Sequence, residues 1–414
     1  MTFVRSNRLT PPISTVAARP LPCAIETIVE VEGFRRLRRE WNELLSTSPS
    51  ASLFLTWEWM FTWWKHLGGR RRLSILVVRC AGELIAIAPL ALRPPDYGRL
   101  APFSSLEFLG TGFVGSDYLD LIVRAGREHV ALPALADHLA QCKVMLKMAQ
   151  IRTGFTLAFD LSERLEGSGW GLSASKTAAC PYIDLSGLTW ATYLAGLGPA
   201  HRANLQRRLR NLTRSSELLF TEAENEEERR EFLGHLIGLH NLRRQELGGS
   251  EAFHTPGLLA FHEEFSALAL RRGWLRLCLL RLDGKPAAAL YGFRYRRTFY
   301  FYQSGFDPAW RKQSVGLVAM GLTIRKALEE GAGEFDLLHG GEGYKSLWAR
   351  QRREIGRLEA YPPRTRGALQ RTWNDFGRGA RRLARRAIPR VLADRIASAL
   401  QSRSGETGTC SEIS

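Results

Sequence analysis

Hydrophobic positions along this chain recur with two periods, and the switches between them lay out its elements. Ala24 to Val29 alternates as a short strand; Phe34, Leu37, Trp41 and Leu44 follow at helical spacing. Thr56 stands as an N-cap before a helix from Trp57 to Leu67, which Gly68 and Gly69 end. The tryptophans of that helix, Trp57, Trp59, Trp63 and Trp64, are expected in a core rather than on a ligand-stacking surface. Leu73 to Val78 and Leu84 to Leu92 are β runs joined by Arg79-Cys80-Ala81-Gly82-Glu83, a hairpin. Leu106 to Leu109 leads through Gly110-Thr111-Gly112 to the run Ser116 to Val123, and a helix from Glu128 to Gln141 follows. Met145 to Ile151 and Thr156 to Leu161 read as two more strands.

The second half repeats the plan. Leu275 to Leu280, a turn from Arg281 to Lys285, and Pro286 to Phe293 form another hairpin. Arg79 and Arg281, Gly82 and Gly284, and Ala86 and Ala288 match at an offset of 202. With a helix before each hairpin, this predicts two copies of one α/β unit, divided near Ala174 to Pro181. A helix between them carries Leu205, Leu209 and Leu212 on one stripe and Arg202, Arg207, Arg208, Arg210 and Arg214 over the rest. That face is either solvated or turned toward phosphates near a cleft. The acidic run Glu222 to Glu231 belongs to a surface helix, and a further helix carries Leu236, Leu239, His240 and Leu242.

The 414 residues suffice for two domains, and 45% hydrophobic residues suffice for a core. A net charge of +17 implies an acidic partner: nucleotide phosphates, nucleic acid or an anionic membrane. The six cysteines are scattered, with no C-x-x-C and no metal-ligand spacing, so they read as reduced thiols in a cytoplasmic protein without a metal. No apolar run approaches the ~18 residues that cross a bilayer, and residues 1–23 read as a flexible tail rather than a signal peptide. From Arg364 to Arg395 ten arginines stand against Asp375 and Asp394, with apolar residues interspersed. Part of this segment is an amphipathic basic helix for an anionic membrane surface or RNA, or else a packing or disordered tail; Pro389 prevents one long helix.

Two stretches of the second unit carry the candidate chemistry. Arg311-Lys312-Gln313-Ser314-Val315-Gly316 opens a helix running to Glu330. Free amides at its start bind phosphate oxygens, Arg311 and Lys312 add charge, and Ser314 is the natural N-cap. The strand Glu334 to Leu338 holds Asp336 in an apolar run, and His339, Glu342, Tyr344 and Lys345 follow in a Gly-rich loop. Lys345 suits a phosphate or oxyanion, Tyr344 suits protonation of a leaving thiolate, and Glu342 or His339 suits acceptance of a proton from an amine.

The stretches G-K-P-A-A-A (284–289), Y-F-Y-Q-S-G-F-D (300–307), Q-S-V-G (313–316) and F-D-L-L-H-G-G-E-G-Y-K-S-L-W (335–348) together resemble the GNAT acyltransferase superfamily. The likeness is closest to its CelD-like (BioF2-like) acetyltransferase domain, which is related to the Fem-type tandem-GNAT aminoacyltransferases. Phe54 to Trp64, Ser116-Asp117-Tyr118, His201 to Arg208, and His240 with Arg243 fit as well. The resemblance implies an α/β (α+β) fold, a tandem pair of GNAT-like units, each a mixed, mostly antiparallel sheet flanked by helices. The first unit, 24–175, would serve the acceptor, the second, 176–362, the acyl donor, and a basic segment 363–414 would follow. Acetyl-CoA or another acyl-CoA would lie on Arg311, Lys312, Gln313, Ser314, Val315, Gly316 and Leu317. Ser314-Val315-Gly316 is similar to the Ser-Pro-Gly form of the group and departs from the common R/Q-x-x-G-x-G/A loop. Lys345 stands where Fem-type enzymes carry the Lys of F-K-x-x-F. Asp336, His339, Glu342 and Tyr344 are the remaining catalytic candidates, and Asp117, Tyr118, Arg202, His240, Arg243 and Tyr302 the acceptor-binding ones. The implied activity is N-acetyl or N-acyl transfer to an amine of a sugar or amino-acid-containing acceptor in polysaccharide or cell-envelope biosynthesis. A Fem-type enzyme using charged tRNA, and a non-catalytic basic scaffold on a membrane surface, are the alternatives.

Overall fold

The computed structural model describes residues 23–96, 101–154, 156–247 (side chains through Leu242), 253–340 and 342–363, with Gly367 and Thr372. The expected tail before Cys23 and, those two residues apart, the basic segment 364–395 lie outside the described residues. The first half comprises β1 (Cys23–Ile28), α1 (Val31–Arg36), α2 (Arg38–Thr47), α3 (Trp57–Leu67), β2 (Arg72–Leu73), β3 (Ile75–Cys80), β4 (Glu83–Ala88), β5 (Leu90–Arg93), β6 (Ser105–Phe108), β7 (Ile122–Val123), α4 (Glu128–Cys142), β8 (Met145–Arg152), α5 (Leu157–Gly167) and β9 (Gly171–Asp184). The second comprises α6 (Trp190–Gly196), α7 (Pro199–Ser215), β10 (Leu218–Glu222), α8 (Glu226–Leu247), α9 (Pro256–Arg271), β11 (Leu275–Leu282), β12 (Lys285–Tyr295), β13 (Thr298–Phe306), α10 (Val315–Glu329), β14 (Glu334–Asp336), α11 (Lys345–Trp348) and β15 (Gln351–Tyr361).

Among the described residues the strands form a large sheet, β10-β11-β12-β13-β14-β9-β15-β8-β6-β5-β2, and a small one, β1-β3-β4-β7. Both are mostly antiparallel. The parallel pairs, β6 with β8 and β13 with β14, occupy equivalent places about the central β9–β15 pair. Each follows the same order of elements, with α4 before β8 and α10 before β14. The hairpin turns match in detail. Ala81 and Gly82 have φ of 51° and 83°, Asp283 and Gly284 of 51° and 75°, the two positive values that a tight hairpin turn demands. The register shifts at the matching arginine in both, between Val78 and Arg79 and between Leu280 and Arg281. The copies differ where proline intervenes. Pro89 has no N–H for a ladder, so the expected run Leu84 to Leu92 splits, β4 pairing with β3 and β7 while β5 joins the large sheet. Residues 174–181, the expected boundary, lie within β9, which pairs with both β14 and β15.

Two further expectations are corrected here. Residues 157–167 are a helix and not a strand: Leu157, Ala158, Leu161 and Leu165 are buried at helical spacing. The buried Asp120 carboxylate accepts hydrogen bonds from the Leu157 and Ala158 amides at 3.2 and 2.8 Å, which holds the first turn of α5. The six cysteines are not all reduced. Antiparallel pairing sets Cys23 opposite Cys80, with Cα atoms 4.2 Å apart, and the two form a disulfide. Cys142, Cys180 and Cys278 are free thiols.

The halves meet on α3. Thr56 accepts a hydrogen bond from the Trp59 amide at 3.3 Å, capping this helix as expected. Trp59 is fully buried and meets Phe54, Phe261 and Phe265 edge-on at 4.9, 4.9 and 4.7 Å between ring centroids. Its indole Nε1 donates to Ser116 Oγ at 2.9 Å, and Ser116 donates to the Gly110 carbonyl at 2.6 Å. One side chain thus fastens α9 of the second half to the loop that carries Asp117. Beside it the buried Glu58 carboxylate accepts from Arg38 and Asn42 of α2 and from Arg272 after α9. No helix among the described residues is long and apolar enough to cross a membrane. Trp59→Ala is expected to cost about 3–5 kcal/mol in urea unfolding, and a loss under about 1 kcal/mol contradicts its place at the junction.

Candidate active site

The first candidate feature lies where β14 ends. Leu338 turns the chain there with φ of 54°, a left-handed conformation that a branched-chain residue adopts at a cost of roughly 1–3 kcal/mol. The turn aims both the amide and the imidazole of His339 at Asp117, from the loop before β7. The amide donates to Asp117 Oδ2 at 2.9 Å, and His339 Nδ1 lies 2.7 Å from Oδ1. Asp117 is fully buried, and Cys180 Sγ also donates to Oδ2, at 3.6 Å. The hydrogen bond to Asp117 raises the His339 pKa above its ordinary value, outweighing burial. Tyr118, with φ of 58°, is left-handed too. Its hydroxyl donates to Asp336 Oδ2 at 2.8 Å, joined by Arg353 at 2.9 Å, while the Leu338 amide donates to Oδ1 at 2.8 Å. Burial pushes the Asp336 carboxyl up to about 7, against the pull of Arg353 and these hydrogen bonds.

Lys345 folds back over this turn. Its ammonium donates to the His339 carbonyl at 2.9 Å and the Leu338 carbonyl at 3.4 Å, and meets Glu342 Oε2 at 3.1 Å. Gly340, with φ of 157°, lies directly under that ion pair, where a Cβ would collide with Glu342 Oε2 and Lys345 Nζ. Lys345 is thereby fixed to the chain that presents His339.

The second feature is a cavity of about 210 Å³ between β12, β13 and the start of α10. Ala288, Ala289 and Gly305 floor it with little side-chain bulk, and Ser314, Gly316 and Leu317 form one wall. His201 from α7, with Tyr344, Leu347 and Trp348, forms the other. The first intrahelical bonds of α10 run from the Leu317 and Val318 amides to the Ser314 carbonyl, so the Val315 and Gly316 amides precede them. Arg311 stands at the rim, and Arg208 of α7 donates to the Lys312 carbonyl at 2.6 Å, tying α7 to this turn. Ser314 occupies the N-cap position in a left-handed conformation, φ of 58°, without the expected side-chain cap.

The pairing of β13 explains the opening. Its parallel ladder with β14 covers only Thr298 to Tyr300, because β14 stops at Asp336. Beyond that, β13 keeps only β12, and the register between them shifts at Tyr291/Gly292, leaving Tyr302 without a cross-strand mate. The bulge sends Tyr302 inward, where its hydroxyl donates to the Val114 carbonyl and lies 3.4 Å from His262 Nε2.

Of the residues singled out from sequence, the structure gathers Asp117, Tyr118, Tyr302, Asp336, His339, Glu342 and Lys345 around the strand ends. Arg311, Ser314, Val315, Gly316, Leu317 and Tyr344 line the cavity; Lys312 and Gln313 belong to the same turn. Arg202 donates to the Ala195 carbonyl, and His240 is buried against Phe253. The Arg243 side chain lies outside the described ones. Sequence reasoning missed His201, Cys180, Arg353 and Trp348 as parts of the site. The small residues of G-K-P-A-A-A were the signal for the cavity floor; nothing local marked Cys180 or Arg353, which come from β9 and β15.

Residues 199–346 match the family model described as Acetyltransferase (GNAT) domain. Among solved structures, FemX covers 78% of this chain and 95% of its own, at 13% identity and a TM-score of 0.57. The C-terminal domain (DUF2156) of a putative lysylphosphatidylglycerol synthetase from Agrobacterium fabrum covers 79% and 92%, at 11% identity and 0.49. A tandem GNAT protein from the clavulanic acid biosynthesis pathway covers 83% and 100%, at 14% identity and 0.45. No curated protein sequence matches the chain.

The raised Asp336 carboxyl has a consequence for stability. In the unfolded chain it ionises near its ordinary ~4, so between that value and about 7 the folded state holds more protons and stability falls as pH rises. Asp336→Asn removes that dependence. Its urea midpoint relative to the wild type is expected to improve between about pH 5 and about pH 8, and a constant difference contradicts the raised carboxyl.

Proposed function

We propose that this chain, which carries a GNAT acetyltransferase domain at residues 199–346, is an N-acyltransferase that takes its acyl group from acyl-CoA. The observation that supports this most is the position of the cavity. Apart from Leu347 and Trp348 it is lined by residues of the GNAT domain, against the edge of β13 that β14 leaves unpaired and the opening amides of α10. A thioester donor with a phosphorylated, amide-containing arm suits those two surfaces. Helix-start amides and Arg311 favour the phosphates, and an open strand edge offers N–H and C=O groups to the arm's amides. Arg311, Lys312, Gln313, Ser314, Val315, Gly316 and Leu317 are the donor-binding residues in this reading. The second unit, 176–362, binds the donor; the first, 24–175, serves the acceptor.

The acceptor in this reading is the amine of a sugar or amino-acid-containing precursor, as the resemblance to the CelD-like group implies. The strand-end cluster supports a site at the junction of the units, since Asp117 and Tyr118 reach it from the first and Asp336 and His339 from the second.

Calorimetry with acetyl-CoA tests the donor site. The wild type is expected to bind, and Gly316→Glu to weaken binding at least about tenfold, or ~1.4 kcal/mol, by placing a carboxylate where the phosphates would lie. A Cβ at Gly316 would meet only Phe306, at 3.5 Å, so the variant retains its fold. No binding by the wild type, or equal binding by both, contradicts the reading.

A further inference from the structure

The strand-end cluster holds several titratable groups, and their surroundings separate them. Asp336 is fully buried and covered by Tyr118, Arg353 and the Leu338 amide, so no acceptor amine reaches it. The Lys345 ammonium is occupied by two carbonyls and Glu342. The Tyr302 hydroxyl, on a half-buried side chain, donates to the Val114 carbonyl. Cys180 is buried, and both its burial and the carboxylate of Asp117 push its thiol far up. Glu342 is exposed and ion-paired with Lys345. His339 differs from all of these: 39% of its side chain is exposed, while its Nδ1 sits against a carboxylate with no exposed surface.

That contact fixes the proton of the ring. Asp117 Oδ1 and Oδ2 are acceptors, so neutral His339 carries its hydrogen on Nδ1 and offers the lone pair of Nε2. The backbone beneath the ring is held as well: the His339 amide donates to the same Asp117 carboxylate, the Leu338 amide donates to Asp336, and Lys345 clasps the His339 carbonyl. Gly115 of the first unit is the neighbour of the ring's Cε1 edge. A Cβ built on Gly115 would stand 3.8 Å from His339 Cε1 and 3.9 Å from the Tyr302 hydroxyl. Tyr344, one residue from the lysine that clasps His339, lines the donor cavity.

Resting on the acyl-donor reading, we infer that His339 is the general base of the transfer and that Asp117 of the first unit is its positioning residue. The acceptor amine attacks the carbonyl of the acyl thioester. A C–N bond forms, the C–S bond breaks, the amine proton passes to His339 Nε2, and the departing thiolate takes a proton from solvent. His339 returns its proton to solvent before the next turnover. Neither unit alone contains this pair, which gives the tandem arrangement a chemical purpose. The groups facing the imidazole are Asp117, whose hydrogen bond raises its pKa, and Lys345 and Glu342, which oppose one another.

The test uses the full chain, acetyl-CoA, and hydroxylamine as a small acceptor that is uncharged near neutral pH. Thiol release above the enzyme-free blank is followed from about pH 7, where the acceptor is uncharged, to about pH 9, with acetyl-CoA affinity measured alongside by calorimetry. The wild-type kcat is expected to rise along one limb placed above the ordinary histidine value. Asp117→Asn removes the charge that raises His339, so its limb moves to lower pH while its plateau falls about tenfold or more. His339→Gln loses the limb and at least about a hundredfold in kcat, with acetyl-CoA affinity retained. Because His339 is partly exposed, this second variant keeps the test valid should Asp117→Asn fail to fold. A His339→Gln profile that matches the wild type, or a wild type that binds acetyl-CoA but releases no thiol to hydroxylamine, overturns the inference and leaves the donor site standing. Absence of acetyl-CoA binding by the wild type overturns both.

Discussion

The buried carboxylate of Asp117 couples the two halves of this molecule at the strand ends. Asp117 has no exposed surface, and a carboxylate so placed is tolerable only when hydrogen bonds replace its lost water. Those bonds come from the other half, through the amide and imidazole of His339, and from Cys180 on the central strand β9. The loop that carries Asp117 is held in turn by Trp59 through Ser116. Removing any of these leaves a buried charge short of partners, so the contact constrains the loop before β7, the end of β14 and the packing of α3 on α9 together.

The same junction shapes the opening beside it. β14 is short because the chain must turn at Leu338 to reach Asp117. Its early end leaves β13 paired only with β12 from Phe301 onward, and the bulge at Tyr302 draws that residue toward the first unit. The cavity under α10 lies along the strand edge so exposed, and the alanines of β12 leave it unfilled. Arg311 brings positive charge to its lining, and Arg208 of α7 ties that helix to the adjoining turn through the Lys312 carbonyl.

Much of this was legible in the sequence. The repeat at an offset of 202 proved structural because the features that carried it, an arginine at a register shift and a glycine at positive φ, are requirements of the hairpin turn. The turn at 311–316 was legible because a basic loop before a helical apolar stripe is a local signal. Long-range pairing was not. Cys23 and Cys80 stand 57 residues apart and become neighbours only through the β1–β3 register. Thr156 to Leu161 resembles a strand over six residues, and the carboxylate that stabilises it as a helix lies at Asp120. For the site, His339 and Asp117 were each visible as candidates, yet their contact spans 222 positions and no spacing announces it. Arg202 is bonded to the neighbouring helix and His240 is packed on the Phe253 ring, surroundings that no spacing announced.

The central claim is that an acyl thioester donor occupies the cavity between β13 and α10. Hydrogen–deuterium exchange with and without acetyl-CoA addresses it directly, because it reports on the backbone amides that the account assigns to the donor. Protection concentrated at 301–320 and 344–348, with the small sheet β1-β3-β4-β7 unchanged, is the expected result. No protection in those segments under saturating acetyl-CoA, or protection confined to the outer faces of α2 and α8, would contradict it.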